Sequence, residues 1–375
     1  MMFTACLSLL VWVYLVLAHG RFWSSAPELP PAAPNELPDV DIVIPARDEA
    51  ETIGPVIASL LAQDYTGRFR IFLVDDNSTD GTAAKAGSAP NLTVIKGQPK
   101  PEGWSGKLWA LSQGIAASGA PVLLFADADI VHDPRHLSAL VTKLMAQPNT
   151  DRRLDMVSEM VRLNCVSFAE RALVPAFVYF FQMLYPFARV NDPRSAVAAA
   201  AGGTVLIRRT ALERIGGIAA IRNALIDDVT LAKAVKTSGR DSGAAIYLGH
   251  SGLATSVRPY PHWRDLWQMI ARTAFTQLHY SALLLLLTLV GLTLVWLVPV
   301  GAMLFGHGLV RAAGLAAFVL AGVSYLPTLT RYRQSPPWAL ALPLIALFYM
   351  AATLGSAVNY WLGRGARWKN RAYGS

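Results

Sequence analysis

Two carboxylates, Asp127 and Asp129, stand one residue apart at the end of the apolar run Pro121–Ala126. The run predicts a strand covered on both faces, as in a parallel sheet. Because burying unpaired carboxylates is costly, the pair is expected at the exposed carboxyl end of the strand, where open α/β sheets bind ligands. Two hard oxygen ligands suit a divalent cation that carries a phosphate. An acidic surface loop is the alternative interpretation.

A second acidic pair, Asp227 and Asp228, precedes the run Val229–Ala232, which predicts the start of a helix. An Asp at such a position is often only an N-cap. Gly202 and Gly203 lie before another short apolar run, where glycine allows either close approach of the backbone to a ligand or merely a tight turn. Both features therefore keep a functional and a structural interpretation.

The segments around these residues alternate between strand and helix patterns. Strands are predicted at 41–45, 70–74, 92–95, 121–126 and 155–165, and helices at 53–62 and 107–117. This alternation predicts an α/β fold with a parallel, doubly wound sheet. Polar residues follow the strands at Pro45, Asp75 and Asp127, and such strand ends lie along one edge of the sheet. Their convergence favours a ligand site over an acidic surface loop.

The composition indicates a membrane-attached protein. Of 375 residues, 53% are hydrophobic and only 15% are charged, which is too apolar for an ordinary soluble enzyme. The excess lies in residues 3–19 and in three runs at 281–305, 309–329 and 338–361, each of these three long enough to span a bilayer. The residues between have a normal globular mixture, so we expect one water-facing domain.

The first apolar run is interpreted as an uncleaved anchor rather than a signal peptide. No charge precedes it, whereas Arg21 follows it, and positive charge favours the cytoplasmic side. We therefore expect a multi-pass protein of the inner (plasma) membrane with its water-facing middle domain in the cytoplasm. Three full membrane crossings after that domain would put the basic tail outside the cell, against the same preference of positive charge for the cytoplasmic side. Either one of the apolar runs is re-entrant or interfacial, or the preference of positive charge for the cytoplasmic side does not hold here.

Two further segments are predicted to be helical. In Tyr260–Tyr280, Trp263, Trp267 and Ile270 recur at helical spacing among basic and amide side chains, which suits a helix lying in the membrane surface. The aromatic segment 168–187 is predicted to cover the sheet or to dip into the interface.

Charge and cysteine content exclude other classes of site. The net charge is +8, but Lys and Arg are scattered rather than grouped with aromatic residues, so no nucleic-acid partner is expected. Attraction to an anionic leaflet of the lipid bilayer fits better. Cys6 and Cys165 have no metal-ligand spacing and form no disulfide framework.

Together these motifs resemble those of the processive and lipid-acting family 2 glycosyltransferases, which have the GT-A fold. The similar segments are DIVIPARDEAETI at 41–53, IFLVDDNSTDGT at 71–82, GK at 106–107, LLFADAD at 123–129, GGTVLIRR at 202–209 and DDVTLA at 227–232. They cover nearly the whole middle domain in the family's order. The arrangement of anchor, domain and helices is most similar to that of the hopanoid-cluster-associated glycosyltransferases, and next to that of ceramide glucosyltransferases.

The patterns along the chain, together with this resemblance, set the expected domain boundaries. They are a transmembrane anchor at 1–20, a Pro-rich linker at 21–38, a GT-A domain at 39–256, an interface helix at 257–280, a transmembrane region at 281–361 and a basic tail at 362–375.

The resemblance implies inverting transfer of a sugar from a nucleotide-diphosphate sugar, with a UDP-sugar expected, to a hydroxyl of a membrane lipid, with a hopanoid as the candidate acceptor. It implies Mg²⁺ or Mn²⁺ at Asp127 and Asp129, with Asp129 the more direct ligand and Asp127 on ribose or a metal-bound water. Asp228 would be the general base and Asp227 would position it, or the two roles would be reversed.

The donor contacts are implied in the same way. Asp76 would accept a hydrogen bond from uracil, Asp75 would bind or instead order its loop, and Lys107 would pair with phosphate or hold its loop. The full set of substrate-binding candidates is Pro45, Arg47, Glu49, Asp75, Asp76, Lys107, Asp127, Gly202, Gly203, Thr204 and Gln268.

One motif departs from the family pattern. Family members often carry Gln-x-x-Arg-Trp near the interface helix, whereas this chain has Gln268-Met-Ile-Ala-Arg272-Thr273. Arg272 would keep the catalytic arginine's role on the diphosphate, or would instead anchor the helix to lipid phosphate. The departure leaves no Trp for the acceptor platform.

Three other functions are weaker candidates. A polysaccharide synthase of the same family would need a larger transmembrane bundle and the intact motif. A non-catalytic membrane scaffold that binds a nucleotide sugar would not need the complete set of carboxylates. A nucleotidyltransferase would share the sheet and the metal, but it would leave the late Asp pair and the interface helix unexplained.

Overall fold

A computed structural model of the chain describes residues 1–146, 153–240, 243–364, 367–368 and 371–372. Half of the predicted basic tail at 362–375, namely 365–366, 369–370 and 373–375, lies outside the described residues. The strands are β1 (Glu28–Leu29), β2 (Val40–Ala46), β3 (Phe69–Asp75), β4 (Leu92–Lys96), β5 (Val122–Ala126), β6 (Ile130–His132), β7 (Arg153–Arg162), β8 (Thr204–Arg208), β9 (Ala244–Ser256), β10 (Arg367–Trp368) and β11 (Arg371–Ala372). The helices are α1 (Met2–Ala18), α2 (Ile53–Leu61), α3 (Thr82–Lys85), α4 (Gly106–Ala117), α5 (His136–Met145), α6 (Phe168–Leu184), α7 (Phe187–Asn191), α8 (Arg209–Arg214), α9 (Asp227–Ser238), α10 (Trp263–Gln277), α11 (Ala282–Leu292), α12 (Val298–Phe305), α13 (Gly308–Arg331) and α14 (Leu342–Trp361).

The chain forms two compact units. The sheet unit comprises Ala26–Asn164 and Arg189–Pro259 with a short C-terminal segment. The helical unit comprises Met1–Ser25, Cys165–Ala188 and Tyr260–Ala366. The sheet unit thus holds the motifs of the predicted catalytic domain, and the helical unit holds the predicted anchor, interface helix and spans.

The sheet unit contains a nine-stranded, mostly parallel sheet with the strand order β1-β9-β7-β8-β5-β2-β3-β4, in which β6 also pairs with β9. The neighbours β5, β2, β3 and β4 are parallel, as the alternation of strands and helices predicted. β8, however, runs antiparallel to both β5 and β7. The sheet is therefore mixed rather than wholly parallel, because the direction of a strand depends on its connection and not on its side-chain pattern.

The centre of the sheet is closely packed against α4. The strands β2 and β5 are buried throughout, as expected of strands covered on both faces. Gly114 of α4 faces β2 and β3: a Cβ at this position would overlap Val43 Cγ1 and lie 3.1 Å from Val74 Cγ2. The glycine is therefore required for the close approach of helix and sheet.

Gly114→Ala is expected to lower the thermal midpoint of the purified protein. Overpacking a well-filled core costs about 1–3 kcal/mol, and the overlapping atoms belong to a central strand. The matched control is Gly119→Ala, whose Cβ would meet only Arg70 Nη2 at 4.0 Å. Equal midpoints for the two variants, measured by thermal unfolding in detergent, would contradict this packing.

Three helical segments among the described residues are long and apolar enough to cross a membrane: Ala282–Phe305, Gly308–Arg331 and Pro336–Trp361. They coincide with the three predicted runs and indicate a membrane protein. The shorter apolar helix α1 packs against them, with Ala5 in a cluster with Ala302 of α12 and Ala313 of α13.

The segment Ala282–Phe305 contains a π-helical turn at Thr293–Leu297. Ser8 Oγ of α1 donates a hydrogen bond to the Leu294 carbonyl at 2.8 Å, and Trp12 Nε1 donates to the Val295 carbonyl at 2.8 Å. A π turn interrupts the regular ladder of helical hydrogen bonds, which leaves carbonyls open to other donors. α1 is therefore hydrogen-bonded into the helical unit at this turn.

The two other predicted helices also pack within the helical unit. α6 begins with a capping box at Ser167 and contacts α13, where Tyr179 Oη lies 2.6 Å from Ser324 Oγ. α10 contacts α14, where the backbone N–H of Phe275 donates to Ser356 Oγ at 3.1 Å. α6, which was predicted to cover the sheet or to dip into the interface, thus has partners among the apolar helices.

Candidate active site

Polar residues converge where neighbouring parallel strands end. In the register of β2 and β3, Pro45 pairs with Val74 and Ala46 pairs with Asp75. β5 lies on the other side of β2 and leads directly into Asp127. The three strand ends that the sequence singled out are therefore adjacent in the sheet.

Lys107 joins the two acidic pairs. It lies in the first turn of α4, which begins after Ser105, whose hydroxyl accepts a hydrogen bond from the Leu108 N–H. Lys107 Nζ is 2.9 Å from Asp127 Oδ1 and 3.1 Å from Asp227 Oδ2. The carboxylate after β5 and the carboxylate that opens α9 thus share one ammonium group, so residues a hundred positions apart meet in one site.

A pocket lies beside this bridge. Lys107, Asp127, Asp227 and Asp228 form its charged side, and Gly202 and Pro45 also line it. The remaining lining is largely apolar and includes Leu108, Leu111, Phe125, Ile218, Ile221 and Leu231. Apolar walls exclude water and strengthen the electrostatic interactions of the charged groups.

The pocket shifts the pKa values of its charged groups. Burial raises the pKa of Asp228 to about 7, and the neighbouring Asp227 carboxylate adds to the shift. Burial also raises the pKa of Asp127, although Lys107 counteracts this effect. Burial disfavours the charge of Lys107, but Asp127 and Asp227 outweigh it and hold the pKa of the ammonium well above its usual value. Lys107 is therefore a fixed positive charge, whereas Asp228 titrates near neutrality.

The backbone positions Asp228 for proton transfer. The Val229 N–H donates to Asp228 Oδ1 at 2.8 Å, which fixes the carboxylate at the start of α9. A Cβ on Gly202 would lie 3.2 Å from Asp228 Oδ2, so only glycine leaves this oxygen its full space. The neighbouring Gly203 carbonyl accepts a hydrogen bond from the Asp127 N–H at 3.1 Å. The Gly-Gly segment thus contacts both acidic pairs.

The loops after β2 and β3 are tied together. Asp48 Oδ1 accepts the Thr79 N–H at 2.8 Å, and Asp80 Oδ2 accepts the Ala50 N–H at 2.9 Å. These carboxylates link the two loops to each other, so their polar residues form one surface at the sheet edge.

The predicted nucleotide contacts lie in these loops. Asp75 Oδ1 accepts the Ser78 N–H at 3.0 Å, which orders the loop. Arg47 Nη1 donates to the Asp76 carbonyl at 2.5 Å and lies 3.6 Å from Asp76 Oδ2. The Asp76 side chain is fully buried, so the carboxylate that the resemblance assigned to uracil does not reach the surface in this structure.

Sequence reasoning missed Arg258. Its Nε donates to Asp129 Oδ2 at 2.8 Å, and its Nη2 donates to Glu49 Oε1 at 2.6 Å. The sheet unit extends to Pro259, past the predicted end of the catalytic domain at residue 256. No motif marks this arginine, which stands in the short segment after β9.

Thr204 faces the core rather than the pocket. Its hydroxyl donates to Glu159 Oε1 at 3.3 Å, and the same carboxylate oxygen also contacts His136 Nε2. His136 Nδ1 lies 2.8 Å from His132 Nδ1, and burial together with the neighbouring His136 holds the pKa of His132 well below its usual value. This buried cluster supports the sheet beneath the site.

The carboxylate oxygens of the site fit a divalent cation that binds together with a diphosphate. Among the described residues, no three His, Cys, Asp or Glu side chains gather into a complete metal cage. Asp127 and Asp129 nevertheless supply carboxylates one residue apart, and Mg²⁺ is commonly held by one or two carboxylates plus substrate phosphates. Such a site is completed by the substrate rather than by the protein alone.

Gln268 and Arg272 lie on α10, in the helical unit. The diphosphate role of Arg272 therefore rests on the resemblance of its motif. The other predicted site residues lie in the sheet unit.

Residues 41–216 match the family described as Glycosyl transferase family 2. The β-monoglucosyldiacylglycerol synthase of Synechocystis sp. is 28% identical over 227 residues, which cover 56% of this chain and 45% of the relative. A probable glycosyltransferase of Bacillus subtilis, YdaM, is 25% identical over 246 residues, which cover 64% of this chain and 55% of the relative. The chain thus spans about half the length of these curated relatives.

A solved structure shares the fold. The mannosyltransferase PcManGT from Pyrobaculum calidifontis, in complex with GDP-Man and Mn²⁺, superposes with a TM-score of 0.55 at 18% identity. The match covers 96% of this chain and 99% of that chain. The predicted GT-A fold is confirmed.

Proposed function

We propose that the protein transfers a sugar from a nucleotide-diphosphate sugar to a hydroxyl of a membrane lipid, since residues 41–216 match the family described as Glycosyl transferase family 2. A UDP-sugar is the proposed donor, and the anomeric configuration is inverted. The observation that carries this proposal is the Lys107 bridge, which brings Asp127 next to Asp227 and Asp228. Residues that can stabilise a leaving diphosphate thus lie beside carboxylates that can accept a proton from an attacking hydroxyl.

The leaving group is stabilised at Asp127, Asp129 and Lys107. A divalent cation held by the two carboxylates would act as a Lewis acid on the diphosphate oxygens. Lys107 adds a permanent positive charge, since its pKa is held well above its usual value. Such preorganised charges act most strongly in a site from which water is excluded.

The acceptor is activated at Asp228. Its Oδ1 is held by the Val229 N–H, which leaves Oδ2 to take the proton of the acceptor hydroxyl. The hydroxyl oxygen bonds to the anomeric carbon as the bond from that carbon to the diphosphate oxygen breaks, and the electron pair leaves with the diphosphate. One displacement from the face opposite the leaving group inverts the sugar. Asp227, paired with Lys107, positions the base.

The membrane setting supports a lipid acceptor. Three helical segments of the described residues can span a bilayer, and the Synechocystis relative is named as a synthase of a glucosyl lipid. A hopanoid is the specific acceptor we propose, on the resemblance of the order of anchor, domain and helices to that of the hopanoid-associated glycosyltransferases. The proposed location is the inner membrane, with the catalytic domain in the cytoplasm.

The deciding experiment follows a labelled sugar into lipid. Membranes that contain the protein are incubated with labelled UDP-glucose, UDP-N-acetylglucosamine or GDP-mannose, with Mn²⁺ or with EDTA. We expect label in the organic extract with one donor, in the presence of the cation, and none with membranes that contain Asp228→Asn. Label confined to insoluble polymer would support a polysaccharide synthase instead. Donor binding without any transfer would support a scaffold.

Gly202→Ala is expected to slow transfer about tenfold, because small misplacements of a catalytic group are costly. The added Cβ, 3.2 Å from Asp228 Oδ2, forces the carboxylate to shift by a few tenths of an ångström. Initial rates at saturating donor measure the effect, with Gly119→Ala as the control. A wild-type rate for Gly202→Ala would contradict the requirement for glycine beside Asp228 Oδ2.

A further inference from the structure

Arg258 makes a two-pronged contact at the candidate site. Its guanidinium bridges Asp129 Oδ2 at 2.8 Å and Glu49 Oε1 at 2.6 Å. The Ser256 hydroxyl lies 3.3 Å from the same Asp129 oxygen. The Asp129 and Glu49 side chains are only 12% and 10% exposed, and Arg258 provides positive charge to both carboxylates.

Each carboxylate of the Asp127 and Asp129 pair therefore has its own basic partner. Lys107 compensates Asp127, and Arg258 compensates Asp129. A guanidinium group cannot lose its proton in a protein, so the charge of Arg258 is permanent. A bare divalent cation that approached Asp129 would meet a carboxylate already paired and a positive charge beside it.

A diphosphate removes this obstacle. It brings negative charge to the metal and to the guanidinium together, and arginine is well suited to binding phosphate oxygens. The metal then gains phosphate ligands at the moment when the repulsion from Arg258 is screened. The energetic balance at Asp129 thus differs between a metal ion alone and a metal ion with a nucleotide diphosphate.

We propose that Arg258 is a positioning residue that makes the binding of the divalent cation at Asp129 conditional on the nucleotide diphosphate. The free protein holds the cation weakly, and the cation and the nucleotide enter cooperatively. This inference rests on the proposed function, since it takes the site to bind a metal and a nucleotide diphosphate. By linkage, the factor by which the nucleotide strengthens metal binding equals the factor by which the metal strengthens nucleotide binding.

The test measures Mn²⁺ binding to the purified full chain in detergent, by electron paramagnetic resonance, with and without UDP or GDP. For the wild type we expect weak binding of Mn²⁺ alone and a strengthening by nucleotide within the usual coupling range of about 5–150-fold. Arg258→Gln removes the charge and keeps hydrogen-bonding ability. It is expected to bind Mn²⁺ alone at least about fivefold more tightly and to show a correspondingly smaller effect of nucleotide.

Two further variants make the outcome decisive. Arg258→Lys keeps the positive charge and is expected to bind Mn²⁺ alone as weakly as the wild type, which tests the idea even if Arg258→Gln folds poorly. Arg135→Ala removes another arginine paired with an aspartate of the sheet unit, Asp133, and is expected to change neither the binding of Mn²⁺ alone nor the effect of nucleotide.

Binding of Mn²⁺ alone that is unchanged or weaker in Arg258→Gln, or at least about fivefold tighter in Arg258→Lys, would overturn the role of Arg258. If the wild type binds no Mn²⁺ in the presence of UDP or in the presence of GDP, the proposed function would be overturned instead, and this inference with it.

Discussion

Asp228→Asn is expected to lower the rate of sugar transfer by about 10²–10⁴-fold, the usual contribution of a general base. The amide keeps the size of the carboxylate and its hydrogen bond from the Val229 N–H, but it cannot take up the proton. Nucleotide binding is expected to persist, because Lys107 remains paired with Asp127 and Asp227. Single-turnover transfer and equilibrium binding of the nucleotide, measured on the same preparation, separate the two effects.

The pH profile provides the diagnostic control. A carboxylate whose pKa is raised to about 7 is ionised above that pH and protonated below it. The base works only when ionised, so the wild-type rate is expected to fall about tenfold per pH unit as the pH drops below about 7. The residual rate of Asp228→Asn should lack this acidic limb. An unchanged limb in the variant would assign the titration to another group and remove Asp228 as the base.

Asp129→Ala is expected to lower the rate of transfer about 10²–10³-fold, since a Lewis acid on a leaving diphosphate is worth several kcal/mol and each 1.4 kcal/mol is about tenfold. The substitution removes the carboxylate that Arg258 and Ser256 contact. Unlike Asp228→Asn, it should weaken the binding of the nucleotide in the presence of Mn²⁺. Titration of the nucleotide with Mn²⁺ and with EDTA measures this difference.

A matched substitution at the other carboxylate refines this result. Asp127→Asn keeps the size of the side chain and one oxygen near Lys107. If Asp129 is the more direct ligand, Asp127→Asn retains more of the Mn²⁺ dependence than Asp129→Ala does. The reverse order would exchange the roles of the two carboxylates.

Much of the sheet unit was predictable because its signals are local. The apolar runs ending at Pro45, Asp75 and Asp127 predicted three strands, and the structure places those strands side by side. Strand ends in a parallel sheet share an edge, so the meeting of their polar residues followed from the alternation alone. The antiparallel direction of β8 could not be predicted in this way, because the same side-chain pattern is found in parallel and antiparallel strands.

The site was predictable only where a motif marked it. Asp228 belongs to a recognisable pair, whereas Arg258 stands in an unremarkable Val-Arg-Pro sequence and acquires its role from folding against Asp129 and Glu49. Thr204 lies in a motif, yet its hydroxyl contacts the core residue Glu159. Long-range pairing of side chains depends on three-dimensional placement, which composition and spacing do not contain.

The hydrogen bonds between α1 and the π-helical turn have a consequence for biosynthesis. Ser8 and Trp12 are separated from their acceptors by 286 and 283 residues, so α1 emerges from the ribosome long before its partners exist. Buried polar groups without partners are costly in an apolar setting, which disfavours early burial of this face of α1. The helical unit is completed only when the last third of the chain has been translated. Most of the sheet unit is therefore synthesised after α1 but before the hydrogen-bond partners of α1.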